Sequence, residues 1–276
     1  MKEAFDKIVD VGAASGEFTK HILRLNRNHI VYAIEPNIDV NETSLAKLLT
    51  EYPNRMRFYP HALGNQTGEF AFYGAHVLEG QIGSLNRFNE EKIWSDHLKQ
   101  VLIEQDLSTH KMVSVRSVQD FLKDNQIDRI KFLKIDTQGS DIDILKTFLD
   151  NTLVECMVLE VNTSQVSSEN IYSVDNSFDK LIRIIVEYSL QIVKLVPNSD
   201  LTEYNVFLAK QVDIGKNIID SLKIDQSIVF GKYWTVLGMG KVFKNTTNNN
   251  LLIKKIFTGL RHPHNSIKSA VHKLTS

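Results

Sequence analysis

The sequence has 276 residues, of which 42% are hydrophobic and 24% are charged, and its formal net charge is −1. This composition is typical of a globular domain with one sizeable core, and no run approaches the roughly 18 apolar residues that a membrane-spanning helix needs. The single cysteine, Cys156, excludes an intrachain disulfide, and the charged start MKEAFDKIVDVG lacks the apolar core of a secretory signal, so we expect a cytoplasmic protein.

In chain order, short apolar segments typical of buried strands alternate about six times with segments of helical spacing. The segments are KIVDV, EFTKHILRL, HIVYAIEPN, VNETSLAKLLTEY, MRFYPHALG (taken as one strand), GEFAFYGA, MVSVRSVQDFLKDN, RIKFLKIDTQG, SDIDILKTFLDN, LVECMVLEVN, FDKLIRIIVEYSL, QIVKLVP and YNVFLAK. Residues 75–111 are irregular apart from a helix-like EEKIWSDHLKQVL. Nearly continuous apolar strands predict an α/β fold, with a mostly parallel sheet that is covered by helices on both faces.

The first turn, DVGAASG, follows the first strand and contains Asp10, Gly12 and Gly16. A dinucleotide-binding turn requires a middle glycine that admits the pyrophosphate, and Ala14 stands at that position. The turn still allows close backbone approach at Gly12, and it can present helix amides at Gly16 and Glu17. A nucleoside with an amino-acid tail therefore fits better than a dinucleotide.

The second strand ends at Glu35, followed by Pro36. A carboxylate at this position can accept both hydroxyls of a ribose, at roughly 1.5–3 kcal/mol for each charge-assisted hydrogen bond. The alternative is that Asp10 and Glu35 only cap loops. Their occurrence together with the glycine turn favours a cofactor site.

The stretches VDVGAASGEFT, IEPN, ALGNQTGEFAFY, SVQDFL and IKFLKIDTQGSDIDILK resemble the FkbM-type S-adenosylmethionine-dependent methyltransferases over about residues 7–210. The segment from Ser117 to Lys146 is the most specific part of this resemblance. The resemblance implies a Rossmann-like class I methyltransferase fold with a seven-stranded sheet whose last strand is antiparallel. It also implies methyl transfer to a hydroxyl, often on a sugar or a secondary metabolite. One departure is Asp141, which stands where the family usually has a glutamate.

The resemblance also implies positions for the cofactor S-adenosylmethionine. By the family pattern, the methionine end lies on the first turn, the ribose at the end of the second strand and the adenine after the third. The corresponding residues are Asp10, Gly12, Ala13 and Gly16, then Glu35 and Pro36, then His61, Ala62 and Leu63.

Transfer to an alcohol requires a group that removes its proton or a Lewis acid that acidifies it. Asp136 ends the central strand, and Glu160 and Asn162 end the next one, about 4.8 Å away in a parallel sheet. Two hypotheses follow: Asp136 acts alone as the base, or Asp136, Glu160 and Asn162 bind Mg²⁺ or Mn²⁺. In a third interpretation Asp136 has only a structural role, as a cap of the following helix. Weaker candidates are His61 and His76 as bases, the segment 81–85 as part of the acceptor site, and Arg87 and Trp94 as residues that hold a sugar or an acidic group.

Charge divides the chain near Gln211. Residues 211–276 contain ten Lys/Arg and three Asp/Glu, whereas residues 1–210 have a net charge of −8. This shift predicts a methyltransferase domain over 1–210 and a basic extension over 211–276 that serves as a lid, a homo-oligomer contact, a membrane-surface segment or a solvated face. Aromatic residues do not interleave with its charges, so we expect no nucleic-acid partner.

The sequence thus predicts an O-methyltransferase that acts on a small-molecule or glycan acceptor, most often a sugar of a surface polysaccharide or glycolipid. The sugar rests on the resemblance alone. O-methylation of a secondary metabolite is the alternative, and a nicotinamide-dependent oxidoreductase and a non-catalytic cofactor-binding scaffold are rivals from other classes.

Overall fold

The computed structural model describes residues 5–25, 28–76, 83–88, 109–162, 172, 174–197 and 203–224. The strands in these ranges are Asp6–Val11 (β1), His29–Ile34 (β2), Met56–Tyr59 (β3), Ala62–Gly64 (β4), Gly68–Tyr73 (β5), His110–Ser117 (β6), Arg129–Ile135 (β7), Leu153–Asn162 (β8), Gln191–Pro197 (β9) and Glu203–Ala209 (β10). The helices are Glu17–Arg24 (α1), Ile38–Glu51 (α2), Val118–Asp124 (α3), Asp141–Asn151 (α4), Phe178–Glu187 (α5) and Val212–Ser221 (α6).

Seven strands form one sheet in the order β3-β2-β1-β7-β8-β10-β9. The neighbours are parallel except for β10, which runs antiparallel to both β8 and β9. The predicted seven-stranded, Rossmann-like class I methyltransferase fold with a reversed last strand is therefore confirmed. The carboxyl ends of β1, β2, β7 and β8 lie along the same edge, together with the start of β10.

Both faces of this sheet are covered, which explains why its strands are apolar on both sides. On one face, α1, α2 and α6 bury a cluster that includes Phe18, Leu45 and Ile218. On the other face, α3, α4 and α5 bury a cluster that includes Phe121, Phe148 and Ile185. The polar residues at the strand ends are thus held on a rigid, two-sided core.

The segment MRFYPHALG is two strands and not the one that the sequence predicts. β3 ends at Tyr59, and Pro60 cannot donate a ladder hydrogen bond, so the chain leaves the main sheet there. It continues as β4, which joins a second, three-stranded sheet in the order β4-β6-β5. This small sheet stands beside the end of β2, where Lys111 Nζ of β6 donates to Asn37 Oδ1 at 2.9 Å.

The predicted boundary near Gln211 falls at the start of a helix that belongs to the packed domain. α6 lies so close to the sheet that a Cβ on Gly215 would sit 2.6 Å from Val193 Cγ2. Ile219 of this helix and Ile224, which follows the helix, are both buried. The basic segment beyond residue 224 lies outside the described residues, and within the described part no helix is long and apolar enough to cross a membrane.

Candidate active site

The first turn is closed by its own hydrogen bonds. The amides of Gly12 and Ala13 both donate to the Ile34 carbonyl at 3.0 Å, and the Gly16 amide donates to the Ala13 carbonyl at 2.8 Å. Gly16 is the left-handed residue that precedes α1, with a φ of 82°. The expectation that the Gly16 amide faces a ligand is therefore not met, because a carbonyl of the turn already holds it.

Position 12 requires a glycine because the backbone at the end of β7 passes very close to it. Its φ is +75°, and a Cβ built on it would lie 1.8 Å from the backbone oxygen of Asp136. The sequence interpretation assigned this glycine to the approach of a ligand, whereas the closer neighbour is the end of β7. Gly12 thus brings the first turn into direct contact with the segment that carries Asp136.

We predict that Gly12→Ala lowers the free energy of unfolding by about 2–5 kcal/mol, because a left-handed backbone and an overlap with rigid backbone both oppose the methyl group. Urea denaturation measures the change. Gly68→Ala is the matched control, since its added Cβ would meet the ring edge of Phe70 at 3.1 Å and that ring can rotate. Equal stabilities of the two variants would contradict the close approach.

Glu35 is buried at the end of β2, and both of its oxygens accept backbone amides. Oε2 accepts from Ala14 at 2.8 Å, and Oε1 accepts from Asn37 at 2.7 Å. Burial raises the pKa of Glu35, and the two amides oppose that shift. Each oxygen keeps a second lone pair, so the carboxylate can still accept one hydroxyl on each side. The Ala14 amide, by contrast, is engaged and is not available to a phosphate.

Asp10 is fully buried beneath the turn. Its Oδ2 accepts from the Thr19 hydroxyl at 2.7 Å, and its Oδ1 lies 3.3 Å from Lys134 Nζ. Burial raises the pKa of Asp10, against the opposing charge of Lys134. Asp10 therefore orders the turn from below, as predicted, through Thr19 and a lysine that the sequence reasoning missed. The available signal was a lysine inside the apolar run KFLKI, two residues before an acid.

Asp136 stands at the end of β7 with its side chain 35% exposed. Its Oδ1 accepts from Gln138 Nε2 at 2.9 Å, and its Oδ2 lies 3.4 Å from Lys134 Nζ. The interpretation of Asp136 as a simple helix cap is not supported, because a different acid closes that loop. Asp141 accepts the amides of Thr137 and Gly139, each at 3.1 Å.

Asp141 is the second site residue whose role the sequence reasoning missed. Burial, with a contribution from the charge of Asp136, raises its pKa to about 6. The folded chain therefore holds this proton up to a higher pH than the unfolded chain, in which the carboxyl ionises near 3.8. The resulting stabilisation is complete below that value and is lost as the pH rises through about 6.

We predict that Asp141→Asn flattens the decline in the free energy of unfolding between pH 4 and pH 7 by up to about 3 kcal/mol, since one pKa unit corresponds to about 1.4 kcal/mol. Urea denaturation at several pH values measures this. Asp143→Asn, an exposed change in the same first turn of α4, is the control and should keep the wild-type slope. Parallel curves for the Asp141 variant and the wild type would contradict the assignment.

A cleft that is partly open to solvent is lined both by the residues around Glu35 and by the residues around Asp136. The lining comes from the first turn, the end of β2, the small sheet and the end of β7, and includes Gly12, Ala14, Ile34, Glu35, Pro36, Ala62, Leu63, Phe72, Asp136, Thr137 and Gln138.

The three residues predicted to lie beside the adenine do not all face the cleft. Ala62 and Leu63 line it, together with Phe72. The ring of His61 instead packs against Tyr59, with the ring centroids 5.6 Å apart. Burial and the charge of Arg116 lower the pKa of His61. Apolar side chains that can pack against a base are therefore present without the histidine.

The structure gives no support to the predicted metal site. Burial, and then the nearby Glu203, raises the pKa of Glu160 well above its usual value. The backbone amide of Asn162 donates to the Asn176 carbonyl at 2.9 Å. Among the residues that the structure describes, no group of three or more His, Cys, Asp or Glu side chains is placed to hold a metal ion. The set Asp136, Glu160 and Asn162 remains a prediction.

The weaker acceptor candidates have mixed outcomes. Gly83 and Leu85 line the cleft, so part of the segment 81–85 lies where it was expected. Arg87 Nε donates to the Tyr73 hydroxyl at 3.0 Å. Gln81, Trp94 and the helix-like stretch around it lie outside the described residues.

Comparison with known proteins decides the family. The model of the methyltransferase FkbM domain matches residues 10–191, about two thirds of the chain. The chain belongs to this family. The predicted recognition is thereby confirmed, and with it S-adenosylmethionine-dependent methyl transfer as the activity.

Solved structures similar to this FkbM methyltransferase include Aeropyrum pernix fibrillarin with natively bound S-adenosyl-L-methionine (12% identity, TM-score 0.37, 75% of this chain and 67% of that chain). A precorrin-6y C5,15-methyltransferase from Geobacter metallireducens (11%, 0.36, 76% and 82%) and an O-methyltransferase family 2 protein from Planctomyces limnophilus in complex with apigenin (11%, 0.37, 76% and 51%) are others. At these scores the likeness carries no weight for function. The chain spans about half of some of these proteins, and no curated protein sequence matches it.

The cleft of the FkbM methyltransferase fits S-adenosylmethionine. Glu35 has a free lone pair on each oxygen for the two ribose hydroxyls, and Ala62, Leu63 and Phe72 provide an apolar wall for the base. The closed first turn, with its Ala14 amide bound to Glu35, offers little to a diphosphate. Of the residues predicted from the turn and from the end of β2, Gly12, Glu35 and Pro36 line this cleft, whereas Asp10, Ala13 and Gly16 are not among its lining residues.

Proposed function

We propose that this FkbM methyltransferase transfers the methyl group of S-adenosylmethionine to a hydroxyl of a carbohydrate, in the precursor of a surface polysaccharide or glycolipid. The observation that carries the hydroxyl assignment is that Asp136 lines the same cleft as Glu35. A carboxylate is thus available beside the place where the cofactor binds. The carbohydrate is supported by the family resemblance.

The bound cofactor supplies a methyl carbon attached to a cationic sulfur. The side chains of this protein then have to align the acceptor oxygen with that carbon and receive its proton, since alignment alone accounts for much of the acceleration of such displacements. Asp136 accepts the hydrogen bond of the acceptor hydroxyl and takes its proton as the oxygen–carbon bond forms and the carbon–sulfur bond breaks, with its electron pair left on sulfur. Lys134 and Gln138 keep the carboxylate in place meanwhile.

Asp136 acting alone is favoured over a metal-assisted version. Its Oδ2 already faces the ammonium group of Lys134, which electrostatically disfavours a divalent cation at that oxygen. Glu160, with its raised pKa, is a poor ligand while it holds a proton. Turnover that survives chelation supports this version, and turnover that returns only with Mg²⁺ or Mn²⁺ supports the other.

The acceptor is also constrained by the charge of the cleft. Among the described lining residues, the charged ones are Glu35 and Asp136, and both are acidic. An acceptor that carries a phosphate or carboxylate next to its reactive hydroxyl would be repelled. A neutral polyhydroxylated acceptor would not, which is consistent with a sugar ring.

The test combines binding and turnover. Calorimetry with S-adenosylmethionine and with NAD should show binding of the first compound only, and mass spectrometry should find an acceptor that gains 14 daltons in a panel of neutral glycans, acidic glycans and phenolic metabolites. Transfer only to phenols would support the secondary-metabolite alternative, and binding without transfer to any acceptor would support a non-catalytic scaffold. Contacts of the basic segment with an inner membrane surface or with a second subunit remain part of the proposal.

A further inference from the structure

Lys134 occupies the junction between the first turn and the end of β7. Its side chain is 6% exposed, and its Nζ donates to the Gly12 carbonyl at 3.1 Å. The same Nζ lies 3.3 Å from Asp10 Oδ1 and 3.4 Å from Asp136 Oδ2. One buried ammonium group therefore contacts the backbone of the turn, the acid beneath it and the acid in the cleft.

The charge of this lysine is secured by its neighbours. Burial alone would lower the pKa of Lys134, but Asp10 and Asp136 outweigh burial and raise it. A buried ammonium with two carboxylates and a carbonyl has a satisfied environment, which fixes its position. The groups that it contacts are fixed with it.

Asp136 is held from both sides. Lys134 lies at Oδ2, while Gln138 donates to Oδ1, and the Gln138 Oε1 in turn accepts from the Tyr172 hydroxyl at 2.7 Å. Gln138 adopts a left-handed backbone with a φ of 56°, which is uncommon for a residue other than glycine. The lone pairs of Asp136 that remain unused are left for a molecule in the cleft.

We propose that Lys134 is a positioning residue for methyl transfer. It fixes the Asp136 carboxylate relative to the first turn, so that the proton acceptor keeps a constant distance and orientation to the cofactor that this turn binds. This inference rests on the proposed function. It differs from a merely structural role, in which Lys134 only neutralises the buried Asp10. The two roles can be separated because Asp10 can be neutralised independently.

The experiment compares Asp10→Asn with the double variant Asp10→Asn/Lys134→Met. An asparagine at position 10 still accepts from Thr19 and leaves no buried charge without its partner, so the double variant should fold. Lys134→Gln in the same background keeps a donor for the Gly12 carbonyl and provides a second variant. Lys131→Met is the matched control, because Lys131 lies on the same strand and pairs with Asp6 Oδ2 at 2.5 Å, outside the cleft.

We expect the double variant to bind S-adenosylmethionine with nearly the Kd of Asp10→Asn by calorimetry, while its kcat at saturating cofactor falls about 100-fold, as for a misplaced catalytic group. Lys131→Met should keep the wild-type kcat and Kd. Equal kcat values for Asp10→Asn and both double variants would overturn the positioning role, and so would a loss that appears wholly in Kd. A wild-type protein without transfer activity would contradict the proposed function itself, which is a different result.

Discussion

Replacement of Asp136 by asparagine is expected to lower kcat by about 100- to 10,000-fold, which is the usual contribution of a positioned proton acceptor. The asparagine keeps the shape of the side chain and can still accept from Gln138, so the Kd of S-adenosylmethionine should change little. Initial rates at saturating cofactor, together with calorimetry, measure the two quantities separately.

The control for this prediction is Asp143→Asn, an exposed aspartate in the first turn of α4 that pairs with Lys180. It should retain wild-type turnover. An Asp136 variant with wild-type kcat would show that alignment of the acceptor suffices without a base. Loss of cofactor binding together with kcat would instead place Asp136 in the binding of the methionine end.

Replacement of Glu35 by alanine is expected to raise the Kd of S-adenosylmethionine by about 100-fold or more, because two charge-assisted hydrogen bonds of roughly 1.5–3 kcal/mol each are lost. The amides of Ala14 and Asn37 also lose their acceptor, so some stability is lost with the affinity. Calorimetry measures the first effect and thermal unfolding the second.

Two comparisons isolate the ribose contribution. Glu69→Ala, an exposed glutamate on β5, should leave both quantities unchanged. An S-adenosylhomocysteine analogue that lacks both ribose hydroxyls should bind the wild type and the Glu35 variant with similar affinity. If the variant weakened this analogue as much as the natural compound, Glu35 would act only by supporting the first turn.

The strand-end acids were predictable because they interrupt apolar runs. Asp10, Glu35 and Asp136 each follow a run of buried strand residues, and parallel strands bring such ends to one edge. The mostly parallel sheet followed from the same apolar runs, whereas its reversed last strand was implied by the resemblance to the FkbM-type methyltransferases. Prediction worked where a residue type was unusual for its local surroundings and where topology, rather than side-chain detail, determined the meeting point.

The contacts between these residues were not predictable from the pattern. The role of Lys134 depends on its ion pairs with both Asp10 and Asp136. The spacing of these residues in the sequence does not show that the three side chains meet. Asp141, rather than Asp136, accepts the backbone amide that closes the loop before α4. A glycine is needed at position 12 because the backbone oxygen of Asp136, more than 100 residues later in the chain, lies too close for a Cβ. Each of these depends on how separate segments pack, which local sequence does not encode.

The tight seating of α6 has a practical consequence for work with this protein. A fragment that ends at residue 210, where the charge changes, would lack the apolar side chains of α6. Phe207 and Val193, which pack in the same cluster as that helix, would then be exposed to water. We expect such a fragment to aggregate during purification, because it exposes a contiguous apolar patch. A truncated variant should retain all residues up to Ile224, whose side chain is buried.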